Sequence, residues 1–143
     1  MKRLTVVVIV LIVVGILMSA CGGGGAGGPV GAVQSWLDGL TKFDFKAVTD
    51  LTCSAQRQQI EQSLSFFSSS GQDLSALKNL FTFDFSKLKF EEKSNDGKAA
   101  TVHLSGSMSV TAFGQSQNQD MNEDVSVVNE NGGWKVCGNP LGQ

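Results

Sequence analysis

The spacing of apolar positions changes along the chain, and each change predicts a different element. Residues 4–18 form a run rich in Val, Ile and Leu that only Thr5 and Gly15 interrupt; Lys2 and Arg3 precede it, and almost pure glycine follows at residues 22–28. From Pro29 the apolar residues become periodic. Val33, Trp36, Leu37 and Leu40 fall at i, i+3, i+4 and i+7, which predicts a helix that Pro29 helps to start and that ends near Thr41. Phe45, Val48 and Leu51 predict a short second helix. Ile60, Leu64 and Phe67 predict a third, with Ser54 as its cap and the serine and glycine run at 68–71 as its breaker. Asp73 is placed to cap a fourth, carrying Leu74, Leu77 and Leu80.

From about Phe85 the period falls to two. Leu88 and Phe90 alternate with Lys87, Lys89 and Glu91, and residues 94–97 predict a hairpin turn, because Asp96-Gly97 tolerates the positive backbone angles a tight turn needs. The clearest strand follows. Ala100, Val102, Leu104, Met108, Val110 and Ala112 share one face, while Thr101, His103, Ser105, Ser107, Ser109 and Thr111 share the other. Gly106 interrupts the apolar row and predicts a bend or bulge. Residues 113–119 are expected to turn the chain, and Met121, Val125 and Val127 to form the next strand. After a turn at Asn131, Gly132 and Gly133, residues 134–137 close the sheet. Helices followed by an antiparallel meander make an α+β domain.

Two cations ahead of an apolar run form a signal-peptide pattern, and residues 4–20 give 17 positions where a spanning helix needs about 20. The flank is more specific. Leu17, Met18, Ser19, Ala20 and Cys21 resemble a bacterial lipobox, in which small residues precede a cysteine that receives a diacylglyceryl group and becomes the new N-terminus. The position three before that cysteine is usually Leu, and here it is Met18. The resemblance implies a signal peptide at 1–20, lipidation at Cys21, a tether at 21–28, a single domain at 29–143, and a place in the bacterial cell envelope on the membrane. An uncleaved N-terminal anchor and ordinary secretion are the alternatives, and all three put the domain outside the cytoplasm. A diacylated cysteine holds stably where one chain holds marginally, and glycine, costly to order and without a side chain to pack, makes a flexible spacer.

Removing the signal changes the charge. The chain has 11 Lys plus Arg and 13 Asp plus Glu; without Lys2 and Arg3 the balance is 9 against 13, a net of −4. No basic patch remains to face phosphates, so nucleic acid is not an expected partner. About 115 residues from Pro29 onward suffice for one core. With Cys21 lipidated, Cys53 and Cys137 remain as an even pair in an oxidising compartment, and a disulfide between them is expected. Two separate buried thiols are the alternative. Strand parity bears on the pairing, because Trp134 and Val136 share one face and Cys137 falls on the other; either the strand ends or twists at Val136, as Gly138, Asn139 and Pro140 favour, or Trp134 lies on the outer face. Two cysteines and one His cannot fill the usual tetrahedral metal site. No metal or other cofactor is expected. Asp120, Asn122, Glu123 and Asp124 lack the spacing of a calcium loop and read as a solvated edge.

Helices first, then a long meander ending in Gly132, Gly133, Trp134, Lys135, Val136 and Cys137, resemble the nuclear transport factor 2-like superfamily, and within it the small exported bacterial lipoproteins. The resemblance covers residues 29–137 and includes the helix-loop-helix at 43–51. It implies a strongly curved sheet wrapping the helices as a cone whose interior is a ligand pocket, an active site or a packed core. A cystatin-like sheet with one long helix is the rival arrangement. Enzymatic members, such as ketosteroid isomerases and polyketide cyclases, place an Asp or His base and often a Tyr or Asp acid inside the cone. This chain has no Tyr and a single His, His103, on the polar face of its strand. Asp44 and Asp84 each stand between two phenylalanines, at 43–45 and 83–85, and are expected to face water or cap a helix while the phenylalanines turn inward. No catalytic residue is assigned. The expected function is that of a membrane-tethered lipoprotein with a non-catalytic binding or scaffold domain, and a pocket enzyme of the isomerase or cyclase kind is the alternative. The face from Thr101 to Thr111 implies a surface for a second copy or an envelope partner, because members of the superfamily often dimerise through the outer sheet.

Overall fold

Pro29 occupies the first turn of helix α1 (Pro29–Thr41), where a missing N–H costs nothing. A computed structural model describes residues 27–69 and 74–141; the signal segment, Cys21, the tether up to residue 26 and Asp73 lie outside the described residues. Val30, Val33, Trp36 and Leu37 are buried along one stripe of α1, as their spacing predicts. Beyond the end of the helix the chain turns at Phe43, whose φ of 56° is left-handed, and the Asp44 N–H donates to Gly39 O at 2.8 Å. Helix α2 (Phe45–Leu51) starts at once, because the Asp44 carboxylate accepts the Ala47 N–H at 3.0 Å. The two helices approach closely at Gly39, where a Cβ would stand 3.0 Å from the Val48 side chain.

After α2 the chain extends and joins the sheet. Thr52 bridges Val136 in parallel, and the Cys53 N–H donates to Val136 O at 2.9 Å. The buried Thr52 hydroxyl accepts from the Trp36 indole N–H at 3.0 Å and donates to Val48 O at 2.8 Å, so neither group is left unpaired in the core. Helix α3 (Ser54–Ser69) follows, then α4 (Leu74–Leu80). Ser54 is the first residue of α3 rather than its side-chain cap. The group that meets the helix N-terminus comes from the far end of the sheet: the Glu130 carboxylate accepts the Ser54 N–H at 3.0 Å and its hydroxyl at 2.8 Å.

The sheet holds β1 (Phe81–Asp84), β2 (Leu88–Asn95), β3 (Ala99–Ala112), β4 (Gln115–Glu130) and β5 (Gly133–Val136), all antiparallel. β1 and β2 lie end to end on one edge of β3, β1 against residues 109–112 and β2 against residues 100–106; β4 takes the other edge, and β5 pairs with the last residues of β4. Strong curvature wraps the sheet around the N-terminal helices as a half-barrel, which matches the nuclear transport factor 2-like cone. Inside it Val102, Leu104, Met108, Met121, Val125, Val127 and Val136 pack on the α1 stripe and Val48. Each such side chain contributes about 1.5–3 kcal/mol by leaving water.

Two strand boundaries differ from the expectation. The first strand begins at Phe81, directly after α4, not near Phe85. The turn placed at 113–119 is only Phe113 and Gly114, both at positive φ, and β4 already runs from Gln115. Both remaining turns are present but shorter than expected: the chain reverses at 96–98, so Ser94 and Asn95 of the 94–97 turn belong to β2, and at 131–132, so Gly133 opens β5. Asp96 accepts from the N–H groups of Ala99 and Lys98 at 2.7 and 2.8 Å. β5 stops at Val136, which frees Cys137 from strand parity. It bonds to Cys53, fully buried, with Cα atoms 5.2 Å apart across a sequence separation of 84.

Hydrogen-bonded carboxylates are expected to set an acid limit on the domain's stability. Donation by the Ser54 N–H and then its hydroxyl holds the Glu130 carboxyl below its ordinary range, and the N–H groups of Ala99 and Lys98 do the same for Asp96. A carboxylate whose folded pKa is depressed stabilises the fold above its unfolded pKa, and that gain disappears as pH falls through the folded value. Stability is expected to stay level from neutrality to about pH 5 and then to decline. Urea midpoints measured across this range should decline less steeply in Glu130→Gln than in the wild type; parallel curves would remove Glu130 from the explanation.

Candidate functional site

The two Phe-Asp-Phe triplets meet in space. Phe43 and Phe83 have ring centroids 6.0 Å apart, Phe43 meets Phe45 edge-on at 6.1 Å, and Phe83 stacks on Phe85 at 6.1 Å. The left-handed turn at Phe43 and the end of β1 at Asp84 place the two triplets side by side. The aspartates face outward, Asp44 capping α2 and Asp84 accepting the Ser86 N–H at 2.9 Å.

Beside this cluster an open cleft of about 370 Å³ separates α1 from the β1–β2 edge. Its wall is apolar, made by Leu37 of α1 and by Phe83, Phe85 and Phe90 of the sheet edge. Its rim is polar, with Gln34, Asp38 and Thr41 on the helix side and Asp84 and Ser86 on the sheet side. The side-chain and backbone donors of Ser86 hold the Asp84 carboxyl below its ordinary range, so it is ionised at neutral pH. Asp38 accepts from Lys42 at 2.6 Å in an exposed i, i+4 pair. An apolar wall with carboxylates at its mouth favours a ligand with a hydrophobic body and no negative charge at the end that meets the rim.

His103 lies elsewhere. It stands on the outer face of β3 between Glu91 and Asp124, and its Nδ1 is 2.6 Å from Asp124 Oδ1. Lys93 donates to the other Asp124 oxygen at 3.0 Å. The hydrogen bonds from His103 and then Lys93 hold the Asp124 carboxyl low. Asp120, Asn122 and Asp124 share that outer face while Glu123 pairs with Leu104 on the inner one. Among the described residues no group of three or more His, Cys, Asp or Glu side chains could hold a metal ion.

Glu92 stands opposite Val102 on the inner face; its Oε1 accepts from Asn95 at 3.3 Å, and its Oε2 is shielded from solvent with no hydrogen-bond partner among the described residues. Extending the alternation of Leu88 and Phe90 by two residues would have found it. The cleft itself had a weaker signal, the repeated triplet. No family model, curated protein or solved structure matches the chain.

Proposed function

We propose that the chain is a lipid-anchored protein of the bacterial cell envelope whose domain binds an apolar ligand in the phenylalanine-walled cleft and does no chemistry on it. The cleft carries this reading. A pocket enzyme needs an acid and a base of separated pKa facing one substrate; here the carboxylates on opposite sides of the mouth are an ion-paired Asp38 and an Asp84 held ionised. Such groups select the charge of a ligand and fix its end. Burial of its body against Leu37, Phe83, Phe85 and Phe90 supplies affinity. The lipobox resemblance and the glycine tether support the anchoring half, and no helix among the described residues is long and apolar enough to cross a membrane.

Phenylnaphthylamine, a fluorescent apolar amine, tests the cleft. It is expected to bind the mature protein with enhanced emission, and Phe83→Ala should weaken binding about tenfold or more, since a fully buried Phe contributes roughly 1.5–3 kcal/mol. Equal affinity in wild type and variant, with an unchanged fold by circular dichroism, would move the site elsewhere.

A further inference from the structure

Two large apolar side chains are exposed among the described residues, Phe113 at 73% and Leu80 at 39%. They lie together. β3 and β4 reverse through Phe113 and Gly114 at φ 51° and 78°, the Phe113 N–H donates to Leu80 O at 3.0 Å, and the Phe113 ring meets Phe81 edge-on at 5.4 Å. A two-residue turn with both residues at positive φ suits Asn-Gly, the pair used at Asn131 and Gly132. A bulky residue in that conformation is strained. Phe113 therefore accepts strain while keeping most of its surface in water, which the domain alone does not reward. An outlier of this kind points from geometry to function.

The arm that carries it is also uncharged. Residues 106–119 contain no Asp, Glu, Lys or Arg. The tip can leave water without stripping solvent from an ion, the costly step in burying polar surface. Lys78 lies in the last turn of α4, the helix that ends at Leu80, and cations near a bilayer are drawn to anionic headgroups.

We infer that the β3–β4 tip, Phe113 with Leu80, is a second membrane contact that seats the domain on the bilayer holding its lipid. This inference rests on the lipid-anchor reading above. Residues 22–28 between Cys21 and α1 can span at most about 25 Å. The domain is therefore confined to the bilayer surface. There a contact too weak to recruit a free protein suffices, because the tether makes it intramolecular. Phe and Leu side chains buried at the boundary between headgroups and acyl chains are a favoured interfacial contact.

The test uses the mature protein in vesicles of phosphatidylcholine and phosphatidylglycerol, with and without bromine on the acyl chains, and with the mass of each sample measured. In Phe113→Trp the emission of the introduced indole is expected to fall about twofold or more with brominated lipid, as for an aromatic residue at the interface. Lys98→Trp, at the β2–β3 turn at the opposite end of the sheet, should respond no more than the wild type with its Trp36 and Trp134. Unquenched emission from Phe113→Trp in protein whose mass includes an acylated Cys21 would overturn the tip contact and leave the anchor standing. Protein without the acyl mass would overturn the anchor and the inference with it. Shielding of the introduced indole in native membranes, without quenching in pure lipid, would assign the tip to a protein partner and overturn the lipid contact.

Discussion

Loss of the Cys53 to Cys137 bond is expected to destabilise the domain by about 4.5 kcal/mol, the loop-closure value for a cross-link spanning 84 residues. Few single changes in a domain of this size are expected to cost as much. The bond has a structural position that makes the loss more than entropic. Cys53 is fully buried and follows the Thr52 bridge to Val136, so the disulfide fixes an extended segment that ties the helical layer to the end of the sheet. The Trp36 hydrogen bond to Thr52 and the Glu130 contact at Ser54 flank the same point. The double variant Cys53→Ala/Cys137→Ala, unfolded in urea beside the wild type, should show a shift of several kcal/mol. A difference under about 1 kcal/mol would mean that the flanking hydrogen bonds and packing hold this junction without the cross-link. Two freely alkylated thiols at these positions in unreduced protein from the envelope would show that the bond is not formed there.

Gly106→Ala is expected to cost about 3 kcal/mol or more, or to prevent folding. At Gly106 the backbone has φ 116°, which side-chain-bearing residues rarely adopt, and an added Cβ would stand 2.3 Å from the Lys87 carbonyl oxygen. That oxygen cannot swing away as a side chain would. Lys87 lies in the jog between β1 and β2, where two strands share one edge of β3, so relieving the clash means pulling apart the pairing of Leu88 with Gly106. Phe85 and Phe90, on either side of the jog, line the cleft, so binding should weaken along with stability. Thermal unfolding of Gly106→Ala and of Ser105→Ala, on the outer face beside it, makes the comparison; the serine variant should stay within about 0.5 kcal/mol of the wild type. Similar small shifts in both would show that the edge is more pliant than its geometry implies.

What was legible in the sequence depends on how each segment meets the core. α1 and β3 present apolar stripes, Val33 to Leu40 and Ala100 to Ala112, the second broken only at Gly106, and both were readable with their faces. The disulfide was readable from counting cysteines; strand parity opposed it, and Gly138, Asn139 and Pro140, which follow the end of the strand at Val136, remove that objection. β1 was missed because four residues with half-buried and exposed positions in alternation carry too little pattern. The first half of β4 was missed for a different reason. Gln115, Gln117 and Gln119 occupy the inner face there, opposite Ala112, Val110 and Met108, yet remain exposed, so no hydrophobic period marks the strand. The phenylalanine cluster was half legible: each triplet was seen, and its meeting with the other is a tertiary contact that no local period records.

Native mass spectrometry of the protein released from its own envelope in mild detergent tests the account most directly, because one spectrum reads both the anchor and the ligand. The predicted mass is that of the chain from Cys21 onward with a diacylglyceryl group on that cysteine, accompanied by a small apolar ligand that dissociates on unfolding and is absent from Phe83→Ala. A chain beginning at Met1 without an acyl group, or an acylated chain whose native and denatured masses agree, would contradict it.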